Sequence, residues 1–372
     1  MTINTIHTEL LDLIDGLRYP IIQGGMGPYG TNKLAAAVAK AGGVGLISTV
    51  GMSSEDNYEK IKELDVEPIF GPPPTEERLI RSIDYVAKEL KNAEKAIFGL
   101  NIPVTKEFKD TAELILKTAF EYVEKHPSIK EKLKVIVTSA GNPAQEYVKK
   151  WAKKIGLKWG HVIPSVRHAK KAEEAGVDFV VASGREGGAH ISWRDAHSMV
   201  LVPAVVDAVD KPVVAAGGFC DGRSFIAALA LGAVGVQMGT RFIATKESDF
   251  QDVWKLSIPP KKETDTLVGR GFLGPMRFIR NETAEKMVKL ALENIPDMYM
   301  GKPLFPTQKM VDVEMNSFNA LHTAKKEDQE KVLMLGGEVI GRIDDIVSVK
   351  TLIQNIMEES KQVLSLLEKY RS

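Results

Sequence analysis

Residues 169–184 read AKKAEEAGVDFVVASG. An alanine- and lysine-rich amphipathic stretch runs up to Gly176, and a short apolar run, Phe179–Ala182, follows it. Glycine suits the left-handed position that ends a helix. An apolar run with no polar face suits a strand buried on both sides, as in parallel sheets. The stretch therefore reads as a helix feeding a buried strand. The pattern recurs in LAAAVAKAGGVGLIS, Leu34–Ser48, and in FIAALALGAVGVQMG, Phe225–Gly239.

Working outward, strand candidates are Ile21–Gln23, Val44–Ile47, Ile97–Asn101, Val135–Thr138, His161–Pro164, Phe179–Ala182, Val213–Ala216 and Gly235–Met238. Helical patterns separate most of them. Eight successive strand–helix units predict an α/β protein of the closed (β/α)8 TIM-barrel class. An open doubly wound sheet is the alternative.

From Thr245 the pattern changes. Pro259-Pro260, KKETDTLVGRGFLGPMRFIRN and the helical ETAEKMVKLALENI contain no convincing strand, and Met287, Met298, Met300, Met310 and Met315 fall here. The expected organisation is a cofactor-binding barrel over residues 15–245, a mostly helical lid subdomain over 246–335, and a C-terminal segment over 336–372 whose helix returns to the barrel. In that helix Leu352, Ile353, Ile356 and Val363 share one side. TAKKEDQEK, Thr323–Lys331, reads as a solvated face. The methionines would fill irregular core gaps or line an adaptable pocket.

The 372 residues carry 49 Lys plus Arg against 49 Asp plus Glu. Such a balance offers no overall field for nucleic acid or an anionic membrane. A single cysteine, Cys220, excludes an internal disulfide. The opening residues lack the basic start and apolar core of a signal peptide, with Ile6, Leu10, Leu13 and Leu17 at helical spacing instead. No apolar run reaches bilayer-spanning length. The expectation is a soluble cytoplasmic protein acting on a small molecule, with no nucleic-acid or membrane partner and with a homodimer left open.

In such barrels function gathers where the strands end. The first strand leads into Gln23-Gly24-Gly25-Met26-Gly27, and the third ends at Asn101. Ser139–Pro143 follows the fourth. The sixth leads into GREGGAHIS with Glu186 and His190. The last two lead into Gly217-Gly218-Phe219-Cys220-Asp221-Gly222 and Gln237-Met238-Gly239-Thr240-Arg241. Those last two loops are where barrels often hold phosphate. Glycines let backbone N–H groups approach an anion, and Thr240 adds a hydroxyl. The first cluster suits a flat polar ring. A phosphate at one end and a ring at the other fits flavin mononucleotide (FMN), or another phosphorylated ligand. Histidine titrates near neutrality, so His190 is the candidate acid–base group. Cys220 reads as a small buried hydrophobe. His161, His168 and His197 read as incidental, and His190, Asp195 and His197 form no three-ligand metal pattern. Arg270, Arg277 and Arg280 would meet an anionic substrate, or serve as surface charge or partners for lid carboxylates.

These motifs resemble the 2-nitropropane dioxygenase-like family, which holds nitronate monooxygenases and flavin-type enoyl-acyl-carrier-protein reductases. The resemblance rests on YPIIQGGMG, AAAVAKAGGVGLIS, FGLNI, SAGNP, IPSV, GREGGAH, PVVAAGG and VQMGTRF followed by KES, in order from Tyr19 to Ser248. It implies an FMN-binding barrel with contacts from Gly24, Gly25, Met26, Asn101, Gly217, Gly218 and Gln237 through Thr240. It also implies that His190 is the catalytic histidine, and no metal is expected. Three departures stand out. Ala189 replaces the second of two glycines usual before the histidine, Ser192 stands where glycine is frequent, and Arg342 occupies a position often held by glutamine. The first reading is an FMN-dependent nitronate monooxygenase oxidising alkyl nitronates with dioxygen. The alternative is an enoyl-thioester or quinone reductase with NAD(P)H as electron donor. A flavin- or phosphate-binding protein without turnover ranks last.

Overall fold

The computed structural model describes residues 6–52, 74–271, 273–294, 306–321 and 323–370. Met298 and Met300 lie outside the described residues. Eight parallel strands form the main sheet: β1 (Ile21–Gln23), β2 (Gly45–Ser48), β3 (Phe98–Pro103), β4 (Leu133–Ser139), β5 (Lys158–Ile163), β6 (Phe179–Ser183), β8 (Val213–Ala216) and β9 (Gly235–Met238). The intervening β7 (Ala189–His190) belongs to a second sheet. All eight predicted barrel strands are present, although β5 begins at Lys158 rather than His161.

The order β1-β9-β8-β6-β5-β4-β3-β2 is a ring in which β1 and β2 must meet. They meet through a single bridge, Ile22 to Val44. Two backbone bonds hold it, Gln23 N–H to Val44 O at 2.9 Å and Val44 N–H to Ile21 O at 3.0 Å. The repeated unit behaves as its glycines predict: Gly42, Gly176 and Gly232 end their helices at φ 98°, 91° and 90°, the left-handed region open to glycine.

Alternate residues of each strand serve two cores. Val135 and Val137 of β4, and Phe179 and Val181 of β6, fill the barrel interior, plugged at its base by Leu10, Ile14 and Leu17. Ile136, Val180 and Ala182 face the surrounding helices. Burial on both faces is why the strands read as unbroken apolar runs. Each such side chain removed from water contributes roughly 1.5–3 kcal/mol.

The last barrel strand is not followed directly by its helix. The chain first builds a lid and then returns as the helix Val349–Glu368, with Leu352, Ile353 and Ile356 buried against the helices Gly222–Ala230 and Asn32–Ala41. The two ends of this excursion are tied together by a Thr245–Val347 bridge and by Lys246 N–H to Val347 O at 3.0 Å. The KES stretch, continued by Asp249, has a mechanical use here. Glu247 Oε2 accepts from Val349 N–H at 2.9 Å. Asp249 accepts from Lys33 and Leu34 N–H at 3.2 and 3.0 Å. Two helices from opposite ends of the chain thus take their N-terminal acceptors from one turn.

The expectation that residues beyond Thr245 contain no strand is corrected. β10 (Thr266–Arg270) and β11 (Pro275–Ile279) form an antiparallel hairpin, and β7 joins the free side of β11 with Met276 opposite His190. Gly269, Gly271, Gly274 and Pro275 obscured this pattern, since glycine and proline weaken any strand signal. The lid's own core centres on Trp254, Phe278, Met287 and Met310, with the Trp254 indole N–H bonded to Leu335 O at 3.0 Å. The helices Glu282–Asn294 and Gln308–Ala320 complete it. Among the described residues no helix is long and apolar enough to cross a membrane.

Candidate active site

A cavity of about 670 Å³ opens at the C-terminal ends of the barrel strands, beneath the lid. Its walls include Gly24, Gly25, Met26, Asn101, His190, Gly217, Gly218, Gln237, Met238, Gly239 and Thr240. The structure thus gathers these predicted site residues around one space, of a size typical for small-ligand sites.

Gln23 is the exception and is corrected. Its side chain is buried away from the cavity. Its Oε1 accepts from Leu46 N–H at 2.9 Å, and its Nε2 donates to Gly24 O. Because β1 and β2 share so little ladder, the amide oxygen supplies to Leu46 of β2 a hydrogen bond that a fuller strand pairing would provide.

The loop after β1 lies close against β3. A Cβ on Gly25 would fall 2.1 Å from Asn101 Cγ, so the missing side chain makes room for that amide. Asn101 Nδ2 is within 3.2 Å of both Val137 O and Ser139 Oγ, which fixes the group across the floor. On the far side, Gly217 and Gly218 adopt φ 86° and 88°, a double left-handed turn. Gln237 Oε1 is buried with no hydrogen-bond partner among the described residues. Thr240 Oγ1 accepts from Gly337 N–H at 2.9 Å, which leaves the Thr240 hydroxyl proton to donate elsewhere.

His190 stands on β7, pinned by the hairpin. Ile191 N–H donates to Pro275 O at 3.0 Å. Arg277 reaches Glu338 at 2.8 Å and Arg185 O at 3.0 Å. Arg185 in turn pairs with Asp195 at 2.7 Å. Glu186 caps the next helix, accepting from Ser198 N–H at 2.9 and 3.0 Å. The glycine run before His190 meets backbone: a Cβ on Gly188 would lie 2.7 Å from Gly336 C and Gly337 N. The reciprocal holds at Gly337, 2.6 Å from Glu186 O. Ala189 adopts φ 63°, a conformation that favours glycine. Its methyl packs on the lid core.

The His190 imidazole is accessible to water through the cavity yet walled by protein at longer range. That burial, with the Arg270 cation as a lesser cause, lowers its pKa from 6.5 to about 4. At neutral pH it is an uncharged imidazole with one donor and one acceptor nitrogen. Arg270 itself is buried and stacks on Trp193, 5.0 Å from guanidinium carbon to ring centroid. Desolvation lowers the Arg270 pKa, opposed by the Glu314 carboxylate.

The residues set aside in the sequence divide. Cys220 is buried, and burial raises its thiol to about 12. Arg270 and Arg277 are buried, so the surface-charge reading fails for them, whereas Arg280 is exposed. Arg342 pairs with Asp221. Met315 lines the cavity, but Met287 and Met310 lie wholly in the lid core. His161 is also a cavity residue. It is buried and 2.8 Å from Thr138 Oγ1, and burial lowers its pKa to about 3. Glu314, Phe318, Gly336 and Gly337 line the site without having been singled out; their one legible signal was the second glycine pair. Among the described residues no group of three His, Cys, Asp or Glu could hold a metal ion.

The family model for nitronate monooxygenase matches residues 8–359. A probable nitronate monooxygenase of Staphylococcus saprophyticus is 31% identical, over 98% of this chain and all of that one. Among solved structures, FabK from Thermotoga maritima is 33% identical with a TM-score of 0.75, covering 98% of this chain and 100% of that chain. Nitroalkane oxidase from Streptomyces ansochromogenes, 22% identical with a TM-score of 0.65 over 96% of this chain and 99% of that one, shares the fold. With its eight-stranded barrel and lidded mouth, the chain belongs to the nitronate monooxygenase family of oxidoreductase enzymes.

Proposed function

We propose that this chain is an FMN-dependent oxidoreductase that oxidises alkyl nitronates with dioxygen. The carrying observation is His190, held by a three-stranded sheet at the wall of a cavity that the double left-handed turn Gly217-Gly218 borders from the neighbouring strand. The residues fit FMN. Gly217, Gly218, Gly239 and the free hydroxyl proton of Thr240 would hold the phosphate. Gly24, Gly25, Met26, Asn101, Met238 and Gln237 Oε1, which has no partner among the described residues, would hold the ring. When bound, FMN supplies the electron acceptance that no side chain here provides.

The protein's part is orientation and proton handling. The N–H of His190 can hydrogen-bond a nitro oxygen of the bound nitronate, and where the substrate arrives as the neutral nitroalkane the acceptor nitrogen can take the proton from the carbon beside the nitro group, leaving the nitronate that is then oxidised. The buried Arg270 favours anionic character developing nearby. The lid residues Met276, Met315 and Phe318 exclude water over the same space.

The likeness to FabK supports a second reading, reduction of an enoyl thioester with NAD(P)H, in which His190 would position the thioester carbonyl. One assay separates the two. The protein is purified, its flavin spectrum recorded, and oxygen uptake followed on propyl nitronate. NAD(P)H is then added with and without a butenoyl thioester. Oxygen uptake on nitronate without nicotinamide is expected. Bleaching by NAD(P)H with no oxygen use on nitronate would replace the first reading with the second, and failure to take up flavin would end both.

A further inference from the structure

Ser198 carries a buried hydroxyl that the proposed chemistry leaves unused. It is the first residue of the helix Ser198–Val206, and it stands behind the cavity wall rather than in it. A hydroxyl has one proton to donate, and three acceptors surround Ser198 Oγ: Gly217 O at 2.6 Å, Ala216 O at 3.1 Å and Glu186 Oε2 at 3.1 Å. The two farther ones already accept from backbone donors. Ala216 O accepts from Gly184 N–H at 2.9 Å, and Glu186 Oε2 from Ser198 N–H at 3.0 Å. The proton therefore goes to Gly217 O, which is also the nearest. The knot is tight: a Cβ on Gly184 would lie 2.0 Å from Ser198 Oγ and 2.3 Å from Glu186 Oε2, so glycine at 184 leaves the hydroxyl its place.

The peptide between Gly217 and Gly218 is trans, so its C=O and N–H point in opposite directions. Both glycines line the cavity and Ser198 does not. With Gly217 O drawn back to Ser198, the Gly218 N–H is turned forward to the cavity side. Without that bond the peptide can swing, because glycine meets little steric resistance at positive or negative φ. We infer that Ser198 is a positioning residue for the anion end of the site: its hydroxyl holds the Gly217–Gly218 peptide with the Gly218 N–H aimed at the phosphate. This role rests on the FMN reading and adds to it a side chain that touches neither flavin nor substrate. Because Glu186 grips the Ser198 backbone, the same residue ties the glycine turn to the loop that carries His190.

The test uses the full chain freed of flavin, with binding of FMN and of riboflavin followed by flavin fluorescence. Riboflavin has the same ring and no phosphate. The unsubstituted protein should bind FMN roughly a hundredfold or more tightly than riboflavin. Ser198→Ala should weaken FMN by roughly tenfold and leave riboflavin unchanged, since only the phosphate senses that peptide. A second measurement needs no variant: in the unsubstituted protein the Gly218 amide proton resonance should move downfield on loading with FMN and stay in place with riboflavin. Equal weakening of both flavins by Ser198→Ala would assign the hydroxyl to the fold alone and overturn the inference. Unchanged FMN affinity in that variant, or a Gly218 amide indifferent to FMN, overturns it as well while the FMN reading stands. An unsubstituted protein that takes up neither flavin overturns both.

Discussion

Two glycine pairs border the same cavity for opposite reasons. Gly217 and Gly218 both have positive φ; a Cβ on Gly217 would also lie 2.8 Å from Gly184 O, whereas a Cβ on Gly218 would meet nothing nearer than Glu186 Cβ at 3.6 Å, so Gly218 is there for its backbone angle alone. Gly188 lacks any such angle, yet a Cβ there would lie 2.7 Å from the backbone of Gly336 and Gly337. In the first pair Gly218 is conformational and leaves space open for a ligand. The other is steric and closes space between two protein segments. The first serves what is bound, and the second serves the aim of His190. Identical residue types on one surface thus answer different demands, and substitution separates them.

The largest effect should come from the side chain that the steric pair aims. His190→Asn is expected to lower turnover by roughly a hundredfold or more while flavin uptake persists, measured by oxygen consumption beside the flavin spectrum. In the unsubstituted protein kcat/KM should hold as pH falls below 6.5 and drop only near 4, because the folded pKa lies below the ordinary value and the neutral base survives into acid. That acid limb should vanish in the Asn variant. Next is Gly188→Ala. Its methyl would meet backbone that cannot swing aside, so a loss of about 1–3 kcal/mol in denaturant unfolding is expected, with reduced turnover and little change in ligand uptake.

Gly218→Ala should cost about 1–2 kcal/mol through its left-handed angle alone, and it should weaken flavin affinity more than the Gly188 variant does. Equal flavin affinity in the two variants would erase the distinction between the pairs. The smallest effect belongs to Ala189→Gly. Relief of a left-handed alanine is partly offset by the greater freedom glycine gives the unfolded chain, so a gain of a few tenths to about 1 kcal/mol is expected. A loss there would mean that the packing of the Ala189 methyl on the lid outweighs its backbone strain.

The barrel was legible because its strands are buried on both faces and its helices end in glycine, so burial and backbone angle both leave marks on single residues. Phe179–Ala182 and Gly176 show this directly. The hairpin Thr266–Ile279 left no such mark. Its strands depend on each other and on the dipeptide Ala189-His190, partners far away in sequence. Most of the predicted cavity residues follow barrel strands, and strand ends were already known. Gln23 failed because a side chain at the last position of a strand turns either into the cavity or into the wall, and the weak β1–β2 seam drew it to the wall. Gly336 and Gly337 were invisible as site residues, since their role exists only against Gly188.

The helix Val349–Glu368 covers the meeting of the first and last strand–helix units, yet it is made after the whole lid. During translation the barrel's outer ring therefore stays open while the lid emerges from the ribosome. The lid must reach the mouth without a finished barrel to rest on. The bridge between Thr245 and Val347 can form only afterwards, when the departing and returning strands of the excursion come together. A ribosome-stalled chain ending before Val347 should then expose the faces that Leu352, Ile353 and Ile356 normally cover, making them early clients for a chaperone.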